Sequence, residues 1–432
     1  MTAAAGEERR PGGTETDPDW IFCQIGAREH YVLPRAMQAR GRLRALYTDL
    51  WCPPDSLTAR LPGGQGRKLR DRFTSEIPAD RVQHFTAPAL IRDGQSRVRR
   101  RALWDEIVAR DTWFGRRAAA RLQRLGHLAG DPRPVVFSYS YGAREIFRAA
   151  RAAGCRTVLG QIDPGPAEED IVAQVSERHA AFQPHWNRAP AAYWDAWRQE
   201  CELADVIVAN SRWSRDCLIG CGVPADRIRV IPLAYQGQAA TDVARPAVTA
   251  FDAARPLRVL FLGSLIVRKG IVELLDAARR LADAPVEFHL VGHPGIAFPA
   301  DDLSRGNVIL HGPVSRSAVQ EHYRAADIFI LPTHSDGFGL TMLEAMANGL
   351  PVLASRHCGD AVVDGRNGWL LPAVSGGAIA DAIRQIIAAP ERLPELSAAA
   401  RATLSDFSPD RIAAQLDAAI AEAAPAPDRG AG

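Results

Sequence analysis

Two segments of this chain open in the same way, and this repeat constrains the fold more than any other feature. The first, WIFCQI at residues 20–25, is an apolar run that ends at Gly26 and precedes a helical pattern, REHYVLPRAMQARG. The second, LRVLFL at 257–262, ends at Gly263 and precedes the helical stretch KGIVELLDAARRLADA. A buried strand, a glycine and a helix are the start of a doubly wound parallel sheet. The repeat therefore predicts two similar Rossmann-like α/β domains.

Further apolar runs supply the other strands of both domains. They lie at 134–140, 157–163, 205–211 and 228–233 in the first half, and at 286–292, 307–312, 327–333 and 351–355 in the second. The pattern predicts a tail at 1–19, a domain at 20–235, a linker at 236–256, a domain at 257–407, a helix at 408–424 and a tail at 425–432. In that helix, we expect Ser408 as the N-cap and Pro409 at the first position.

Composition narrows the class of protein. A net charge of +2 offers no argument for nucleic acid as a partner. The seven cysteines are scattered and odd in number, which indicates a reducing compartment. Cys217 and Cys221 are four apart without a second ligand pair, so no metal site is expected. The first residues lack the apolar core of a signal peptide, and no run of about 20 apolar residues occurs. We therefore expect a cytoplasmic protein.

Residues 92–124 differ from the rest of the chain. This segment contains ten arginines, interleaved with Leu103, Trp104, Trp113 and Phe114. One interpretation is a solvated helix face. The other is a surface for an anionic acceptor or for peripheral contact with the inner face of a membrane.

The stretch HSDGFGLTMLEAMANGLPVLAS, residues 334–355, follows a predicted strand. Ligands of open α/β sheets bind beyond the carboxyl ends of the strands, so Asp336 is expected to face the crevice. Gly337 and Gly339 permit a tight turn, and a helix beginning near Leu340 directs partial positive charge to the same place. Glu344 lies just over one turn into that helix. Two acids beside exposed N–H groups suit a ligand with many hydroxyls and a phosphate. The alternative is that Asp336 caps the helix and Glu344 is a polar residue at its edge.

This stretch resembles the signature of glycosyltransferase family 4. The matching residues are Gly337, Phe338, Gly339, Leu340, Leu343, Glu344, Ala345, Met346, Ala347, Gly349, Pro351 and Val352. In the family, the first acid contacts hydroxyls of the donor sugar and the second contacts the ribose. Here the first acid is Asp336, one methylene shorter than the usual Glu.

A second resemblance covers the segment RVLFLGSLIVRKGIVELLDAA at 258–278. Lys269 matches the lysine that meets the diphosphate, in a chain whose other lysine is Lys68. Ser264 stands where the family has arginine, and Arg268 is the candidate to supply that charge. In the similar stretch at 311–333, backbone atoms near Pro313 and Val314 would meet the base.

The first half resembles the family most in residues 203–233. By the resemblance, Gly26 gives the donor phosphates a glycine loop, and Arg28 assists. Many members have a histidine near the reacting sugar, where this chain has Gln161-Ile162-Asp163-Pro164. Gln161, Asp163, His179 and His185 are the candidates to replace it.

The resemblance implies a GT-B fold, two facing Rossmann-like domains with the site between them. It implies a retaining hexosyltransferase that moves a sugar from a nucleoside diphosphate donor to an acceptor hydroxyl, without a metal ion, in polysaccharide or glycoconjugate biosynthesis. The acceptor stays open between a glycan, a lipid-linked sugar and a small molecule. The implied catalytic residues are Asp336, Lys269 and Arg268, and the implied donor-binding residues are Gly26, Gly263, Ser264, Arg268, Lys269, Val314, Asp336, Gly337, Phe338, Gly339, Leu340 and Glu344. The alternatives are a sugar-nucleotide epimerase or hydrolase, a non-catalytic scaffold of the same fold, and a nucleic-acid-binding protein using residues 92–124.

Overall fold

The computed structural model describes residues 17–60, 62–99, 101–183, 186–237 and 248–423. The tails beyond these limits, residues 238–247 of the predicted linker, Arg100 and His185 lie outside the described residues.

Two parallel sheets organise the described chain. The first contains β1 (Trp20–Gln24), β2 (Leu43–Thr48), β3 (Val82–His84), β4 (Val135–Tyr139), β5 (Arg156–Gln161), β6 (Val206–Ala209) and β7 (Ile228–Val230). The second contains β8 (Leu257–Leu262), β9 (Val286–Val291), β10 (Val308–Gly312), β11 (Ile328–Leu331), β12 (Val352–Ala354) and β13 (Gly368–Leu370). The predicted pair of doubly wound domains is confirmed.

Strand order places a crevice in each sheet. The orders are β3-β2-β1-β4-β5-β6-β7 and β10-β9-β8-β11-β12-β13. The order reverses between β1 and β4 in the first sheet and between β8 and β11 in the second. Ligands of open α/β sheets bind at such switch points, outside the carboxyl ends of the strands. Gly26 follows β1, and Gly263 and Asp336 follow β8 and β11, so these residues lie near the two switch points.

Helices cover both faces of each sheet. They are α1 (Val32–Ala39), α2 (Gly63–Arg70), α3 (Thr86–Arg99), α4 (Leu103–Arg124), α5 (Arg144–Ala152), α6 (Pro166–Arg178), α7 (Ala191–Leu203), α8 (Arg212–Gly220), α9 (Ile271–Arg280), α10 (Ala300–Ser304), α11 (Arg316–Ala325), α12 (Leu340–Ala347), α13 (Gly376–Ala388), α14 (Leu393–Thr403) and α15 (Pro409–Glu422). None of the helices within the described ranges combines the length and apolarity needed to cross a membrane.

Each predicted strand has an observed counterpart, but three strands were not predicted, of which β3 and β13 are short edge strands. β2 carries an arginine within its apolar run, and β3 and β13 have three residues each. Short strands at the edge of a sheet need few apolar residues, so their sequence signal is weak.

Of two predictions about helix starts, one is wrong and one is confirmed. The helix predicted from residue 28 begins only at Val32, because Glu29, His30 and Tyr31 adopt left-handed conformations in a preceding 3₁₀ turn. Ser408 is the N-cap of α15 and Pro409 is its first residue, as predicted, although the Ser408 hydroxyl makes no capping hydrogen bond.

The C-terminal helix packs on the first sheet rather than the second. Ile412 and Leu416 of α15 join the same hydrophobic core as Trp20 and Phe22 of β1. The indole Nε1 of Trp20 donates a hydrogen bond to Asp417 Oδ1 at 2.9 Å. The end of the chain therefore ties the second domain back to the first.

The two domains also meet across the crevice. The hydroxyl of Ser211, at the start of α8, donates to the carbonyl oxygen of Gly337 at 3.0 Å. A side-chain carbon placed on Gly337 would lie 2.2 Å from the carbonyl oxygen of Ile162. Only glycine permits this approach, so Gly337 lets the two domains close on each other.

Candidate active site between the two sheets

Basic and acidic side chains converge where β8 and β11 end. Lys269 Nζ forms an ion pair with Asp336 Oδ2. Arg268 Nη1 lies 3.8 Å from Asp336 Oδ1 and donates to the carbonyl oxygen of Ser335 at 2.7 Å. All three charged side chains are partly buried, with 16–23% of each exposed. The structure therefore brings together the three residues for which the sequence resemblance implies a catalytic role.

Gly270 explains why Lys269 reaches Asp336. Gly270 has a φ of +74° and separates the 3₁₀ turn Val267–Lys269 from α9. A side-chain carbon at this position would lie 1.9 Å from the carbonyl oxygen of Pro332, just after β11. The start of α9 is thus pressed against the end of β11, which places Lys269 beside Asp336.

A third acid enters this cluster from the first domain. Glu168 of α6 lies 3.3 Å from Arg268 Nη1, and the hydroxyl of Ser335 donates to Glu168 Oε2 at 2.9 Å. Burial raises the pKa of Glu168, and the charge of Arg268 opposes that shift. No pattern in the sequence indicated Glu168, because its contacts depend on the two domains facing each other.

Glu344 has a different set of neighbours. It is half-buried on α12, and its Oε2 accepts a hydrogen bond from Tyr323 Oη at 2.8 Å. Burial raises the pKa of Tyr323, and the nearby carboxylate raises it further. The structure thus gives Glu344 a protein partner on α11, and its contact with ribose stays a prediction.

Residues of the loop before α12 make packing contacts inside the protein. Phe338 is buried, with its ring centroid 5.9 Å from that of Phe407. A side-chain carbon on Gly339 would lie 2.4 Å from Leu331. Leu340 is the first residue of α12 and is half-buried. These contacts give the glycines and Phe338 a structural role beside the predicted contact with a donor.

Three other predicted donor-binding residues lie in loops that follow strands of the second sheet. Gly263 follows β8. A side-chain carbon added to Gly292 would lie 1.7 Å from the carbonyl oxygen of Gly263, so the two backbones approach closely here. Ser264 is exposed next to it. Val314 is half-buried shortly before α11 and packs against the core of the second sheet.

A cavity of about 460 Å³ lies at the switch point of the first sheet. Gly26, Arg28, Arg72 and Asp49 are among the residues that line it. The N–H of Gly26 donates to Asp49 Oδ1 at 2.8 Å. The predicted contact of the Gly26 loop with the donor phosphates stays a prediction. Gly26 and Arg28 line this cavity in the first domain, whereas Lys269 and Asp336 belong to the cluster on the second.

Segment 92–124 forms much of the wall of the same cavity. Arg92, Trp104, Arg110 and Trp113 line it. Arg92 forms an ion pair with Glu106, and Arg110 Nη2 lies 2.8 Å from Asp111. The solvated-face interpretation is therefore wrong for Arg92, whereas 42% of the Arg110 side chain is exposed. Among the arginines of the segment that the structure describes, the exposed ones are Arg97, Arg99, Arg101, Arg116, Arg117 and Arg124.

The candidates to replace the family histidine differ in position. Asp163 lines the 460 Å³ cavity and also a second cavity between the domains. Its Oδ1 accepts hydrogen bonds from Tyr141 Oη at 2.5 Å and from the N–H of Gly165 at 2.9 Å. Burial raises the pKa of Asp163. Gln161 is buried and donates to Asp163 Oδ1 at 3.2 Å, so it orients the acid.

His179 lies away from both cavities. Its Nε2 hydrogen-bonds Glu273 Oε1 at 2.9 Å, and His334 Nε2 hydrogen-bonds the same oxygen at 2.9 Å. Burial alone would raise the pKa of Glu273, but the two histidines lower it. His179 therefore joins α6 to α9, and among the three described candidates Asp163 faces the open space.

The structure also describes the cysteines and the side chains that could bind a metal ion. All seven cysteines are free thiols. In the described part of the chain, no group of three or more His, Cys, Asp or Glu side chains is placed to hold a metal ion.

Two facing Rossmann-like domains with a charged cluster between them define a GT-B protein. A model described as glycosyltransferase family 4 matches residues 70–235, and one described as glycosyl transferases group 1 matches residues 256–389. The chain belongs to this family of glycosyltransferases, as the sequence resemblance indicated.

Solved structures share the fold. HepE of Anabaena, in complex with UDP, superposes with a TM-score of 0.58 at 18% identity, covering 93% of this chain and 99% of that one. Sucrose-phosphate synthase of Thermosynechococcus elongatus gives a TM-score of 0.63 at 18% identity, covering 94% and 98% of the two chains.

Curated relatives match over a shorter length. A D-inositol 3-phosphate glycosyltransferase of Xylanimonas cellulosilytica is 32% identical over 241 residues, which is 50% of this chain and 57% of that relative. One of Geodermatophilus obscurus is 38% identical over 184 residues, which is 38% of this chain and 40% of that relative. The matches thus span about half the length of these relatives.

Proposed function

We propose that this protein transfers a hexose from a nucleoside diphosphate sugar to an acceptor hydroxyl, with retention of the anomeric configuration. The observation that carries the proposal is the cluster of Arg268, Lys269 and Asp336 at the switch point of the second sheet. Two cations beside a helix start suit a diphosphate, and an acid beside them suits sugar hydroxyls. HepE, which shares the fold, is solved with UDP and with UDP-glucose, and this supports a nucleotide-sugar donor.

The cluster accounts for the difficult part of the reaction. The bond between the anomeric carbon and the diphosphate oxygen breaks, and its electron pair leaves with the nucleoside diphosphate. The acceptor oxygen forms the new bond on the same face, and its proton passes to the departing phosphate. Lys269 and Arg268 stabilise the negative charge that grows on the diphosphate. Since these two side chains supply the charge, we propose that no metal ion is needed.

Binding of the donor rearranges the ion pairs of the cluster. Lys269 is paired with Asp336, and Arg268 is paired with Glu168. A diphosphate competes with the two acids for these cations, which releases Asp336 to accept hydrogen bonds from the transferred sugar. Closure of the domains around the donor excludes water and limits its hydrolysis.

The cavity of the first domain supports a place for the acceptor. It is about 460 Å³ in volume and adjoins the cluster through Asp163, which also lines the space beside Arg268. We propose that Asp163 takes the place of the family histidine and accepts a hydrogen bond from a reacting hydroxyl. One relative is named an amylovoran biosynthesis glycosyltransferase, which supports a role in polysaccharide or glycoconjugate biosynthesis.

A thermal-shift screen against UDP, GDP, ADP and their sugar conjugates, without and with Mg²⁺, tests the donor site. A ligand at about 100 times its dissociation constant stabilises the folded state by roughly 2.7 kcal/mol. We expect a shift with one nucleotide that does not depend on Mg²⁺ and is lost in Glu344→Ala. Glu395→Ala, an exposed acid on α14, is the matched control.

Turnover of the matching donor then separates the alternatives. Consumption that requires an added acceptor supports sugar transfer, and NMR of the product reports the anomeric configuration. Consumption without acceptor supports an epimerase or a hydrolase. If no nucleotide shifts the melting temperature and no donor is consumed, the proposal is contradicted. That result favours a non-catalytic scaffold.

A further inference from the structure

A second cavity, of about 240 Å³, lies between the two domains beside the charged cluster. Its wall on the first domain contains five aromatic residues, which are Trp104, Tyr141, Trp186, Tyr193 and Trp194. Ile266, Val267 and Arg268 form the wall on the second domain. We call this space the aromatic cavity.

Four of the five aromatic residues pack on one another, and Trp186 extends the wall that they form. Tyr141 and Tyr193 are stacked, with ring centroids 4.8 Å apart. The ring of Trp104 lies 5.2 Å from that of Tyr193, and the ring of Trp194 lies 5.0 Å from it. These contacts hold the rings in place before a ligand arrives, which lowers the entropic cost of binding.

Two of the three indole N–H groups in this wall already donate hydrogen bonds inside the protein. Trp194 Nε1 donates to Glu169 Oε2 at 2.9 Å, and Trp104 Nε1 donates to the carbonyl oxygen of Asn187 at 3.2 Å. What these side chains offer a ligand is therefore ring surface.

Hydrogen-bond acceptors also line this cavity. Asp163, Glu168 and Gln183 lie among its lining residues. Asp163 and Glu168 already accept hydrogen bonds from the protein, and a carboxylate has further acceptor sites that hydroxyls can use and a purely apolar ligand cannot. A polyhydroxylated ring has apolar C–H faces for the aromatic wall and hydroxyls around its edge for the acids. The volume is below the roughly 300–1,000 Å³ of pockets for drug-sized ligands, which suits a single small ring.

We propose that the aromatic cavity binds a polyhydroxylated ring of the acceptor, so that the group receiving the sugar is itself a sugar or a cyclitol. The inference rests on the proposed function and names the substrate class of the same site. The cavity shares Trp104, Tyr141, Asp163 and Tyr193 with the cavity of the first domain. The residues proposed for the transferred sugar, at 336–340, line neither of these two spaces. The ring therefore lies on the acceptor side, with its hydroxyls beside Asp163.

Trp186 is the side chain to change. It is half-buried, lines the aromatic cavity and does not belong to the three hydrophobic cores. Trp186→Ala removes ring surface, whereas Trp186→Phe keeps it. Trp369→Ala, on β13 and outside both cavities, is the matched control.

The probes are methyl α-D-glucopyranoside, methyl α-D-mannopyranoside, myo-inositol and glycerol, observed by saturation-transfer NMR on the full chain with UDP present. We expect the rings to bind and glycerol not to bind. Trp186→Ala weakens ring binding about 3- to 10-fold, the scale of one aromatic contact, and Trp186→Phe stays within about twofold of the unchanged protein. Trp369→Ala leaves ring binding unchanged.

Three results would overturn the proposal. In one, glycerol binds as well as the rings or the rings do not bind. In another, Trp186→Ala leaves ring binding unchanged. In the third, Asp336→Asn abolishes ring binding while Trp186→Ala does not, which assigns the ring to the transferred-sugar site. UDP binding is measured on the same samples, so that failure of this inference can be told from failure of the proposed function. If UDP binds and the rings do not, only this inference is contradicted. Ring binding that depends on Trp186 without UDP binding would contradict the donor assignment alone.

Discussion

The two halves of the molecule open with the same strand and glycine but continue the chain in different ways. After β8, glycine takes the left-handed conformation, with a φ of +74° at Gly270. After β1, Gly26 also takes it, with a φ of +79°, but three consecutive residues that are not glycine then follow in the same region, Glu29, His30 and Tyr31, with φ of +48°, +51° and +61°. Side chains in this region are strained and persist only where the surrounding packing imposes them. Glycine thus marks the left-handed backbone after β8 in the sequence, whereas it marks only part of that after β1.

The same contrast holds for charge. In the second half, two cations and an acid converge at the end of adjacent strands. In the first half, the N–H of Gly26 is already bonded to Asp49, and Arg92 and Arg110 are each paired with an acid. The second half thus places two cations together beside one acid, whereas the first half places each of these arginines beside its own acid.

Loss of Lys269 gives the largest expected effect. Lys269→Ala removes a cation that stabilises the leaving diphosphate, so we expect turnover to fall about 10²-fold or more. Lys68→Ala is the matched control, because Lys68 is the other lysine of the chain and is exposed on α2. Steady-state kinetics with saturating donor measure both variants. A loss under about threefold in Lys269→Ala would refute the assignment and remove the contrast in charge between the halves.

The sequence predicted the second half of the site better for a physical reason. Asp336 and Lys269 come directly after strands of one sheet, so strand order and glycine positions bring them together. Glu168 joins them only because α6 of the other domain crosses the crevice, and spacing along the chain does not show that contact. Likewise, the role of Trp104 in both cavities depends on how α4 packs, and the arginine-rich pattern alone suggested a solvated face.

Glu29 tests the strained turn of the first half. Burial raises its pKa from 4.5 to about 7, and its Oε2 is buried without a hydrogen-bond partner in the described structure. Because the folded state holds this proton more tightly than the unfolded state, the stabilisation from Glu29 is complete below about pH 4.5 and is lost as the pH rises through about 7. A shift of this size corresponds to a free energy of unfolding on the order of 3 kcal/mol.

We therefore expect Glu29→Gln to be more stable than the unchanged protein at about pH 8, by up to about 3 kcal/mol, and similar at about pH 4.5. Urea unfolding at both pH values measures the difference. Glu395→Gln, an exposed acid on α14, should show little change. Some pH dependence remains in the variant, because burial also raises the pKa of Glu200 to about 7. Equal loss of stability with pH in Glu29→Gln and the unchanged protein would contradict the prediction.

Gly270 tests the glycine solution of the second half. Gly270→Ala places a carbon against the carbonyl oxygen of Pro332 and strains a φ of +74°. We expect the free energy of unfolding to fall by roughly 1–3 kcal/mol, the usual cost of overpacking. Gly377→Ala is the matched control, since no atom lies within 4 Å of the added carbon and α13 favours alanine. If both variants unfold at the same urea concentration, the approach of α9 to β11 is not as tight as described.

The smallest expected effect concerns how the halves are joined. Arg212 Nε lies 3.0 Å from Asp360 Oδ1 across the crevice, but 77% of the arginine side chain is exposed. An exposed ion pair contributes about 0–1 kcal/mol, and Arg212→Ala keeps the N–H that also donates to Asp360. Arg212→Ala should therefore change the free energy of unfolding by under about 1 kcal/mol and leave turnover intact.

Ser211→Ala is the informative partner of that variant, because the buried Ser211 hydroxyl donates to the carbonyl oxygen of Gly337 in the other domain. The same hydroxyl oxygen caps α8 by accepting a hydrogen bond from the N–H of Ser214, so the variant loses both contacts, at a cost of about 1–3 kcal/mol. A larger effect for Arg212→Ala than for Ser211→Ala in urea unfolding would reverse the ranking. It would mean that exposed charge, and not the close approach permitted by Gly337, holds the two halves together.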